Sequence, residues 1–169
     1  RARRPALQLV DRMRRTGAAC AAALAVALAS PHALARELAG EARVIDGDTL
    51  EVAGERVRLY GIDAQETDQI CTDGEGRPWA CGAAASEALR TLIQGREVVC
   101  VVTGRDRYKR ALALCQANGE DLGARLVRDG LALAYRRYSG LYLTPEADAR
   151  AAGRGLWAGR FTPPEVWRQ

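Results

Sequence analysis

Apolar and polar residues alternate over two short segments, Thr49 to Ala53 and Arg56 to Ile62, with the period of two that half-buried β-strands show. A further apolar run, Val44-Ile45, precedes the first segment. The turn-forming pairs Asp46-Gly47 and Gly54-Glu55 separate the three runs, and such pairs favour tight hairpins. The pattern therefore predicts a meander of three short antiparallel strands.

The rest of the chain combines helical and strand patterns. Apolar residues from Ala85 to Ile93 recur at helical spacing, and Gly95 can end that helix. Asp121 can cap a second helix, and Thr144 followed by Pro145 is typical of a helix start. We predict a loop over Asp63 to Ala80, helices over Gly82 to Gln94, Asp121 to Asp129 and Thr144 to Ala152, and strands over Glu97 to Thr103 and Arg110 to Gln116.

This order of elements, β-β-β-α-β-β-α-α, indicates the α+β class. Five short strands with a helix between the third and the fourth fit a five-stranded OB-type β-barrel with three helices. Proteins of this fold often bind a ligand without catalysis, so the fold alone does not indicate an enzyme. The function has to be inferred from particular side chains.

The first 35 residues have the features of an export leader. Several arginines precede an apolar run from Ala18 to Ser30, which is too short to span a membrane. The small-residue pattern Ala33-Leu34-Ala35 follows, so we expect cleavage before Arg36; an uncleaved anchor or a buried helix is the alternative. We therefore predict a signal peptide over residues 1–35 and one domain over residues 36–169. That domain would be periplasmic or extracellular, without stable membrane association.

The net charge of the whole chain is misleading. It is +4, which suggests an affinity for nucleic acid. Six of the 25 basic residues and one of the 21 acidic residues lie in the expected leader, so residues 36–169 hold 19 basic and 20 acidic residues, a net charge of −1. Any electrostatic attraction for nucleic acid must therefore come from local clusters.

Four cysteines remain outside the leader, and an even number in an exported chain indicates disulfides. They allow three pairings. Cys100 and Cys115 lie at similar distances from the centre of a predicted hairpin, so paired strands would bring them opposite each other. We expect the bridges Cys71–Cys81 and Cys100–Cys115. A zinc site is the alternative, although neither spacing has the short form of a zinc motif.

The single histidine, His32, lies in the expected leader. The domain over residues 36–169 therefore cannot use Ser-His-Asp or Cys-His hydrolysis, a histidine-dependent nuclease mechanism or an imidazole-ligated zinc ion. Its chemistry must depend on carboxylates, arginines, tyrosines or a hard metal ion.

Acidic residues collect in the loops around the first three predicted strands. Asp46 and Asp48 lie at the first turn, and Asp63 and Glu66 follow the third strand. The hairpins would bring Asp48 near Asp63, and oxygen ligands suit calcium or magnesium. Acidic residues are also common turn formers, and from spacing alone that interpretation is the simpler one.

Two arginines accompany these acids. Arg58 lies on the polar face of the third strand, and Arg110 opens the fifth strand. A guanidinium is planar and permanently charged, and it can bind a phosphate through two hydrogen bonds. Taken singly, either arginine would more commonly form a surface ion pair.

Three ordered blocks resemble the staphylococcal-nuclease (thermonuclease) family. They are Val44-Ile45-Asp46-Gly47-Asp48-Thr49-Leu50, Arg58-Leu59-Tyr60-Gly61-Ile62-Asp63-Ala64-Gln65-Glu66 and Asp106-Arg107-Tyr108-Lys109-Arg110. Their order and spacing match the family. The resemblance implies a secreted, Ca²⁺-dependent nuclease with an OB-fold, which hydrolyses phosphodiester bonds of DNA, RNA or both and leaves 3′-phosphate ends.

The resemblance also implies roles for individual residues. The matched positions are calcium ligands at Asp48, Asp63 and the main-chain carbonyl of Ala64, an acid beside the metal at Asp46, a general base at Glu66, phosphate-contacting arginines at Arg58 and Arg110, and substrate contacts at Tyr108 and Tyr135. We add Arg107 and Lys109, which give the hairpin around Tyr108 further positive charge.

Two positions depart from the family pattern. Gln65 stands where the family usually has a proline ahead of the glutamate. A proline would fix φ and stiffen the turn that directs Glu66. Gln65 either loosens that turn or adds a polar contact. Lys109 stands where the family often has glycine, and its positive charge should aid phosphate binding.

Basic and aromatic side chains alternate around Tyr108, which suits single-stranded nucleic acid; a solvated charged face is the simpler interpretation. We expect a monomer that acts on single-stranded DNA or RNA. The alternatives are a catalytically weak or inactive OB-fold module that binds nucleic acid or protein, and an exported structural protein. A degenerate module should lack Arg58, Glu66, Arg110 or the metal acids, and all of these are present.

Overall fold

The computed structural model describes residues 36–169. The leader expected over residues 1–35 and its cleavage site therefore lie outside the described residues. Within residues 36–169, no helix has both the length and the apolar character needed to cross a membrane.

The described part of the chain forms short strands and four α-helices. The strands are β1 (Glu37–Gly40), β2 (Ala42–Val44), β3 (Thr49–Val52), β4 (Glu55–Leu59), β5 (Ile62–Ala64), β6 (Cys71–Thr72), β7 (Pro78–Trp79), β8 (Val98–Arg105), β9 (Ala111–Ala117), β10 (Glu120–Asp121) and β11 (Ala132–Ala134). The helices are α1 (Cys81–Ile93), α2 (Leu122–Arg128), α3 (Leu143–Ala151) and α4 (Pro164–Trp167), with a 3-10 helix over Gly155–Ala158.

Seven of the strands form one curled sheet, a half-barrel. Its path runs β1-β8-β9-β4-β3-β2, and β10 pairs with β9. Strands β2, β3 and β4 form the predicted antiparallel meander, with Leu50 opposite Val57. Strand β4 runs parallel to β9. The strands β5 and β11 form a separate pair, as do β6 and β7.

The core combines apolar residues of the sheet with those of helices α1 and α2. Leu50, Val57 and Leu59 are at most 2% exposed, as the alternation predicts, and Ala85 and Leu89 of α1 belong to the same cluster. Burying a leucine side chain stabilises the fold by about 1.5–3 kcal/mol. This burial fixes which face of β4 points inward and leaves the other face for polar side chains.

The structure confirms the mixed α+β class but differs from the predicted five-stranded barrel with three helices. The predicted strand Arg56 to Ile62 ends at Leu59, because the chain turns at Gly61 with a φ of 85° and continues as β5. The predicted loop over Asp63 to Ala80 contains β6 and β7, each two residues long. Such short strands depend on their pairing partners, which a local pattern does not show.

The predicted start of the third helix is wrong. Helix α3 begins at Leu143 with Tyr142 at the N-cap position, ahead of Thr144 and Pro145. Tyr142 is buried, and its hydroxyl lies 3.1 Å from a carboxylate oxygen of Asp121. This tertiary contact overrides the local Thr-Pro signal. The predicted cap of α2 is confirmed, since the Asp121 carboxylate accepts a hydrogen bond from the backbone N–H of residue 124 at 2.8 Å.

Both expected disulfides are present. Cys100 and Cys115 are directly opposite each other in the β8–β9 register, with their Cα atoms 4.0 Å apart. Cys71 and Cys81 have Cα atoms 5.6 Å apart, and their bridge links β6 to the start of α1. The Cys71–Cys81 bridge closes the chain segment that follows Asp63 and Glu66.

We expect the double variant Cys71→Ala/Cys81→Ala to have a free energy of unfolding about 2–3 kcal/mol below that of the wild type. The bridge spans 10 residues, and removing it returns loop-closure entropy to the unfolded chain. Urea unfolding of both proteins without reductant measures the difference. Equal unfolding free energies would show that the bridge contributes nothing to stability.

Candidate active site

Arg58, on β4, lies between two buried carboxylates. Its Nη1 donates to Asp48 Oδ1 at 2.7 Å, and its Nη2 donates to Asp63 Oδ1 at 2.7 Å. The side chains of Asp48 and Asp63 are 5% and 4% exposed, and that of Arg58 is 16% exposed. We call these three residues the acid–arginine cluster. The structure therefore brings together three residues that the sequence assigned to one site.

The turn before β3 positions Asp48. The backbone N–H of Asp48 donates to Asp46 Oδ1 at 3.0 Å, the local bond that favours aspartate in turns. A Cβ atom at Gly47 would lie 2.8 Å from the Cβ atom of Ala64. Only glycine therefore lets this turn approach β5, which carries Asp63.

Both oxygens of Asp48 have hydrogen-bond partners besides Arg58. The Thr49 hydroxyl lies 3.1 Å from Oδ1, and the backbone N–H of Ala64 donates to Oδ2 at 3.1 Å. Thr49 is also opposite Arg58 in the β3–β4 register. Side chains of β3 and β4 and a backbone N–H of β5 thus hold the carboxylate in one orientation, which a preorganised binding site requires.

The electrostatics of the cluster favour an additional cation. Burial raises the pKa of Asp48, and the charge of Arg58 opposes that shift. Burial alone would lower the pKa of Arg58, but attraction to Asp48 and Asp63 outweighs it and the pKa is raised. The 2.7 Å contact with Arg58 favours the ionised form of Asp48. The carboxylates of Asp48, Asp63 and Glu66 carry three negative charges, and the guanidinium groups of Arg58 and Arg168 balance two of them.

Glu66 lies in the loop that follows β5. Its backbone N–H donates to Gln69 Oε1 at 3.2 Å, and the Gln69 N–H donates back to the Glu66 carbonyl at 2.8 Å. A Cβ atom at Gly82 would lie 1.7 Å from that carbonyl oxygen, so the loop packs directly on the start of α1. Gln65 is buried, and its Nε2 donates to the Thr162 carbonyl at 3.0 Å. Gln65 therefore supplies a polar contact at this position.

Arg110 stands just before β9, in the hairpin loop between β8 and β9. Its Nε donates to Asp106 Oδ2 at 2.7 Å, and its backbone N–H donates to Asp106 Oδ1 at 3.0 Å. Val57 pairs with Ala111 in the β4–β9 register, so Arg110 directly precedes the strand that pairs with the one carrying Arg58. Among residues 36–169, no hydrogen bond links Arg110 to the acid–arginine cluster.

The same hairpin carries three predicted substrate contacts. The ring of Tyr108 is exposed, with the guanidinium carbon of Arg107 4.8 Å from the ring centre and that of Arg110 at 5.6 Å. An open groove of about 480 Å³ is lined by Glu55, Arg56, Tyr108, Lys109 and Arg110. An exposed aromatic ring beside positive charges is a surface on which a base can stack while phosphates are paired.

Tyr135, the remaining predicted substrate contact, directly follows β11, the strand that pairs with β5. Its backbone N–H donates to the Gly61 carbonyl at 2.9 Å, directly after β11 pairs with β5. Burial and then the charge of Asp63 raise the pKa of Tyr135. Its ring meets that of Tyr138 edge-on, with the ring centres 4.8 Å apart. The structure therefore places Tyr135 near the acids and Tyr108 on a separate hairpin.

A family model described as Staphylococcal nuclease homologue matches residues 56–159. The chain belongs to the staphylococcal nuclease family. The matched range includes Arg58, Asp63, Glu66 and Arg110 of the proposed site, while Asp48 precedes it. The resemblance seen in the sequence is thereby confirmed.

Several relatives match this nuclease over 135 to 145 residues. The succinoglycan biosynthesis protein ExoI of Rhizobium meliloti is 39% identical over 140 residues, which is 80% of this chain and 73% of the relative. An uncharacterized endonuclease of Haemophilus influenzae is 33% identical, covering 75% and 70% of the two chains. A micrococcal nuclease of Shigella flexneri is 32% identical, covering 75% and 78%.

These comparisons identify the protein as a hydrolase that cleaves phosphodiester bonds, with nucleic acid as its substrate. The enzymatic function expected from the sequence is therefore confirmed. The nuclease names of the relatives favour this function over the binding module and the structural protein that the sequence also allowed.

The donor chemistry of the nuclease fits a hard divalent cation. Within residues 36–169, no group of three or more His, Cys, Asp or Glu side chains is arranged to hold a metal ion. The cluster instead offers the carboxylates of Asp48 and Asp63, which carry the oxygen donors that calcium and magnesium prefer. The guanidinium of Arg58 lies between them, where positive charge is favourable. Main-chain oxygens and water would have to complete the coordination.

Arg168 is a residue of this site that the sequence analysis missed. Its Nη2 donates to Asp63 Oδ2 at 2.8 Å, and its Nη1 donates to Glu66 Oε1 at 2.7 Å. Because 105 and 102 residues separate it from these partners and no motif surrounds it, no local signal could have revealed it. Through Arg168, Glu66 is connected to the acid–arginine cluster.

We expect the variant Lys109→Gly to be more stable than the wild type by up to about 1 kcal/mol and to bind nucleic acid more weakly. Lys109 has a φ of 68°, a left-handed conformation that glycine adopts without a steric cost. The loss of one positive charge from the groove should raise KM. Urea unfolding and initial rates on single-stranded DNA measure the two effects.

The control variant is Lys109→Gln, which removes the charge and keeps the side chain. It should raise KM without a gain in stability. A stability gain of equal size in both variants would contradict the explanation by backbone strain.

Proposed function

We propose that this nuclease is exported and uses Ca²⁺ at the acid–arginine cluster to hydrolyse DNA, RNA or both, leaving 3′-phosphate ends. The observation that carries this proposal is the pair of buried carboxylates, Asp48 and Asp63, held 2.7 Å from the guanidinium of Arg58. Such a pair can bind a metal ion next to a group that binds phosphate.

The proposed ligands of the metal ion are Asp48, Asp63 and the main-chain carbonyl of Ala64, with Asp46 nearby. Asp46 orients the turn through its bond to the Asp48 N–H, which supports a positioning role. Bound Ca²⁺ would polarise a phosphoryl oxygen and help to hold the attacking water. Calcium is preferred to magnesium here on the family resemblance.

Glu66 is the proposed general base. Its carboxylate accepts a proton from the water molecule that attacks phosphorus, while the bond between phosphorus and O5′ breaks. The leaving O5′ takes a proton from solvent and becomes a hydroxyl, and the phosphate stays on the 3′ end. The backbone of Glu66 is fixed by Gln69 and by the start of α1, which limits the positions that its carboxylate can reach.

Arg58 and Arg110 are the proposed phosphate-binding residues. Arg58 lies on β4, and Arg110 directly precedes β9, which pairs with β4, so their guanidinium groups can approach one phosphate from two strands. They would stabilise the charge that develops on the phosphoryl oxygens. Arg58 can turn towards the phosphate once a divalent cation balances the charges of Asp48 and Asp63.

The proposed substrate path runs over the hairpin of β8 and β9. Tyr108 offers an exposed ring for stacking, and Arg107 and Lys109 offer charge for neighbouring phosphates. Tyr135 would contact the nucleotide nearest the acids. A surface of this kind suits a flexible single strand, and the nuclease would act as a monomer.

Two disulfides in the described part of the chain support export, because such bridges persist in oxidising compartments. A mass measurement of the purified protein without reductant should find no free thiol among Cys71, Cys81, Cys100 and Cys115.

The product ends test the proposed chemistry. A single-stranded oligonucleotide, digested by the nuclease in calcium and in excess chelator, is analysed by mass spectrometry. We expect fragments with 3′-phosphate and 5′-hydroxyl ends in calcium and intact oligonucleotide in chelator. Fragments with 5′-phosphate ends, or cleavage that persists in chelator, would refute the proposal.

A further inference from the structure

We propose that Arg168 is an internal competitor of the divalent cation. Its guanidinium contacts Asp63 and Glu66, and a bound metal ion would displace it. The inference rests on the proposed metal site at Asp48 and Asp63. It deepens that proposal by giving a regulatory role to a residue that lies outside the range matched by the family, residues 56–159.

Arg168 occupies most of the free coordination positions of Asp63. Its Nη2 donates to Oδ2 at 2.8 Å and its Nη1 lies 3.2 Å from Oδ1. Oδ1 also accepts a hydrogen bond from Arg58 at 2.7 Å. A carboxylate has about four lone-pair positions, so roughly one remains on Asp63 for a metal ion. A cation that binds Asp63 through both carboxylate oxygens must therefore displace Arg168.

The same guanidinium holds the proposed general base. Arg168 Nη1 donates to Glu66 Oε1 at 2.7 Å. This contact takes one of the lone-pair positions of that oxygen, so Arg168 competes with the attacking water for it. Arg168 thus holds a proposed metal ligand and the proposed base together in one network, which a metal ion bound to both oxygens of Asp63 would have to break.

The segment that carries Arg168 is fixed to the Glu66 loop. We call residues 160–168 the C-terminal strap. The Thr162 carbonyl, in the middle of the strap, accepts hydrogen bonds from Gln65 Nε2 at 3.0 Å and Gln69 Nε2 at 2.6 Å. Both glutamines are almost completely buried. The strap therefore stays attached when Arg168 leaves the acids.

The two ends of the strap differ in how firmly they are held. At its start, Arg160 and Thr72 exchange two backbone hydrogen bonds, at 2.8 and 2.9 Å. At its end, α4 is four residues long, and Val166 and Trp167 are 50% and 47% exposed. A short segment with little buried apolar surface opens at low free energy. Arg168 can therefore move away without unfolding of the domain.

The expected size of the competition follows from a two-state equilibrium. Arg168 is tethered close to its partners, so it competes at an effective concentration of millimolar order. If Arg168 occupies the acids in about nine molecules out of ten, the apparent Kd for the metal ion is roughly tenfold weaker than that of the unoccupied site. We expect the variant without this guanidinium to bind Ca²⁺ about 5- to 20-fold more tightly.

The test is calorimetric titration of Ca²⁺ into the metal-stripped nuclease and two variants, Arg168→Gln and Arg160→Gln. Arg160 is the matched control, because it lies in the same strap, is exposed and takes part in no ion pair within residues 36–169. Both changes remove one positive charge. We expect a lower Kd for Arg168→Gln and an unchanged Kd for Arg160→Gln.

An unchanged or higher Kd in Arg168→Gln, with Ca²⁺ bound by the wild type, would overturn the competitor role and leave the proposed metal site intact. An equal decrease in both variants would show a general charge effect and would also overturn it. Absence of Ca²⁺ binding in all three proteins would overturn the proposed metal site together with the inference.

A second variant protects the test against a folding defect in Arg168→Gln. Arg168→Lys keeps the charge, but a lysine cannot contact Asp63 and Glu66 through a planar fork. Its Kd for Ca²⁺ should lie between those of the wild type and Arg168→Gln. A Kd equal to that of the wild type would contradict the role assigned to the guanidinium. Thermal unfolding in chelator checks that each variant is folded.

Discussion

Replacing Glu66 with glutamine is expected to lower kcat by about 10²- to 10⁴-fold, the range for loss of a general base. The amide has nearly the same shape as the carboxylate but cannot accept a proton from water. The backbone contacts of Glu66 with Gln69 do not involve its side chain, so the loop should keep its structure. Initial rates of nucleotide release from denatured DNA at saturating calcium measure the effect.

The matched control for this variant is Glu75→Gln. Glu75 lies in the segment between Glu66 and α1, and its side chain is 71% exposed in a surface ion pair with Arg77. Exposed pairs contribute at most about 1 kcal/mol, so this variant should retain the wild-type kcat. Equal rates for the wild type and Glu66→Gln would remove Glu66 from the mechanism.

Replacing Arg58 with alanine is expected to lower the free energy of unfolding in chelator by about 3–5 kcal/mol. The change leaves Asp48 and Asp63 buried without the guanidinium that both contact at 2.7 Å. Calcium should stabilise this variant more than the wild type, because the cation supplies the missing positive charge. Urea unfolding in chelator and in calcium measures both effects.

Arg56→Ala is the control for this prediction. Arg56 is exposed, two residues before Arg58 on β4. Exposed substitutions of this kind usually change stability by no more than about 0.5 kcal/mol. A similar loss in both variants would show that Arg58 contributes through the strand and not through the two carboxylates.

The hydrophobic pattern predicted the elements that bury one face. Leu50, Val57 and Leu59 face the core as their alternation requires, and Ala85 and Leu89 do so at helical spacing. In each of these elements a single buried face decides the register. Arg58 lies on one of these elements, and Asp48 directly precedes another. Asp63 instead lies on β5, at a position that the pattern assigned to a loop.

Features that depend on distant partners could not be predicted in the same way. The helix α3 starts at Leu143 because buried Tyr142 contacts Asp121, and no local residue pattern encodes that contact. Strand β1 exists because it pairs with β8, more than 50 residues further along the chain. Local propensity is a weak guide where tertiary contacts decide the conformation.

The sequence left two interpretations of Arg58 open, a phosphate ligand and an ion pair. Arg58 forms ion pairs with two acids that are proposed to bind the metal ion. The two interpretations are therefore compatible, because the same arginine can balance the acids before the metal ion binds and contact phosphate afterwards. Arg168, in contrast, belongs to no motif, and only the folded chain brings it to Asp63 and Glu66.

The measurement that tests the central claim most directly is the release of acid-soluble nucleotides from denatured DNA. The wild type and the double variant Glu66→Ala/Arg110→Ala are compared in calcium and in excess chelator. We predict rapid release by the wild type in calcium, and little release in chelator or by the double variant. Release by the double variant at the wild-type rate, or wild-type release that is unaffected by chelator, would contradict a metal-dependent reaction at this site.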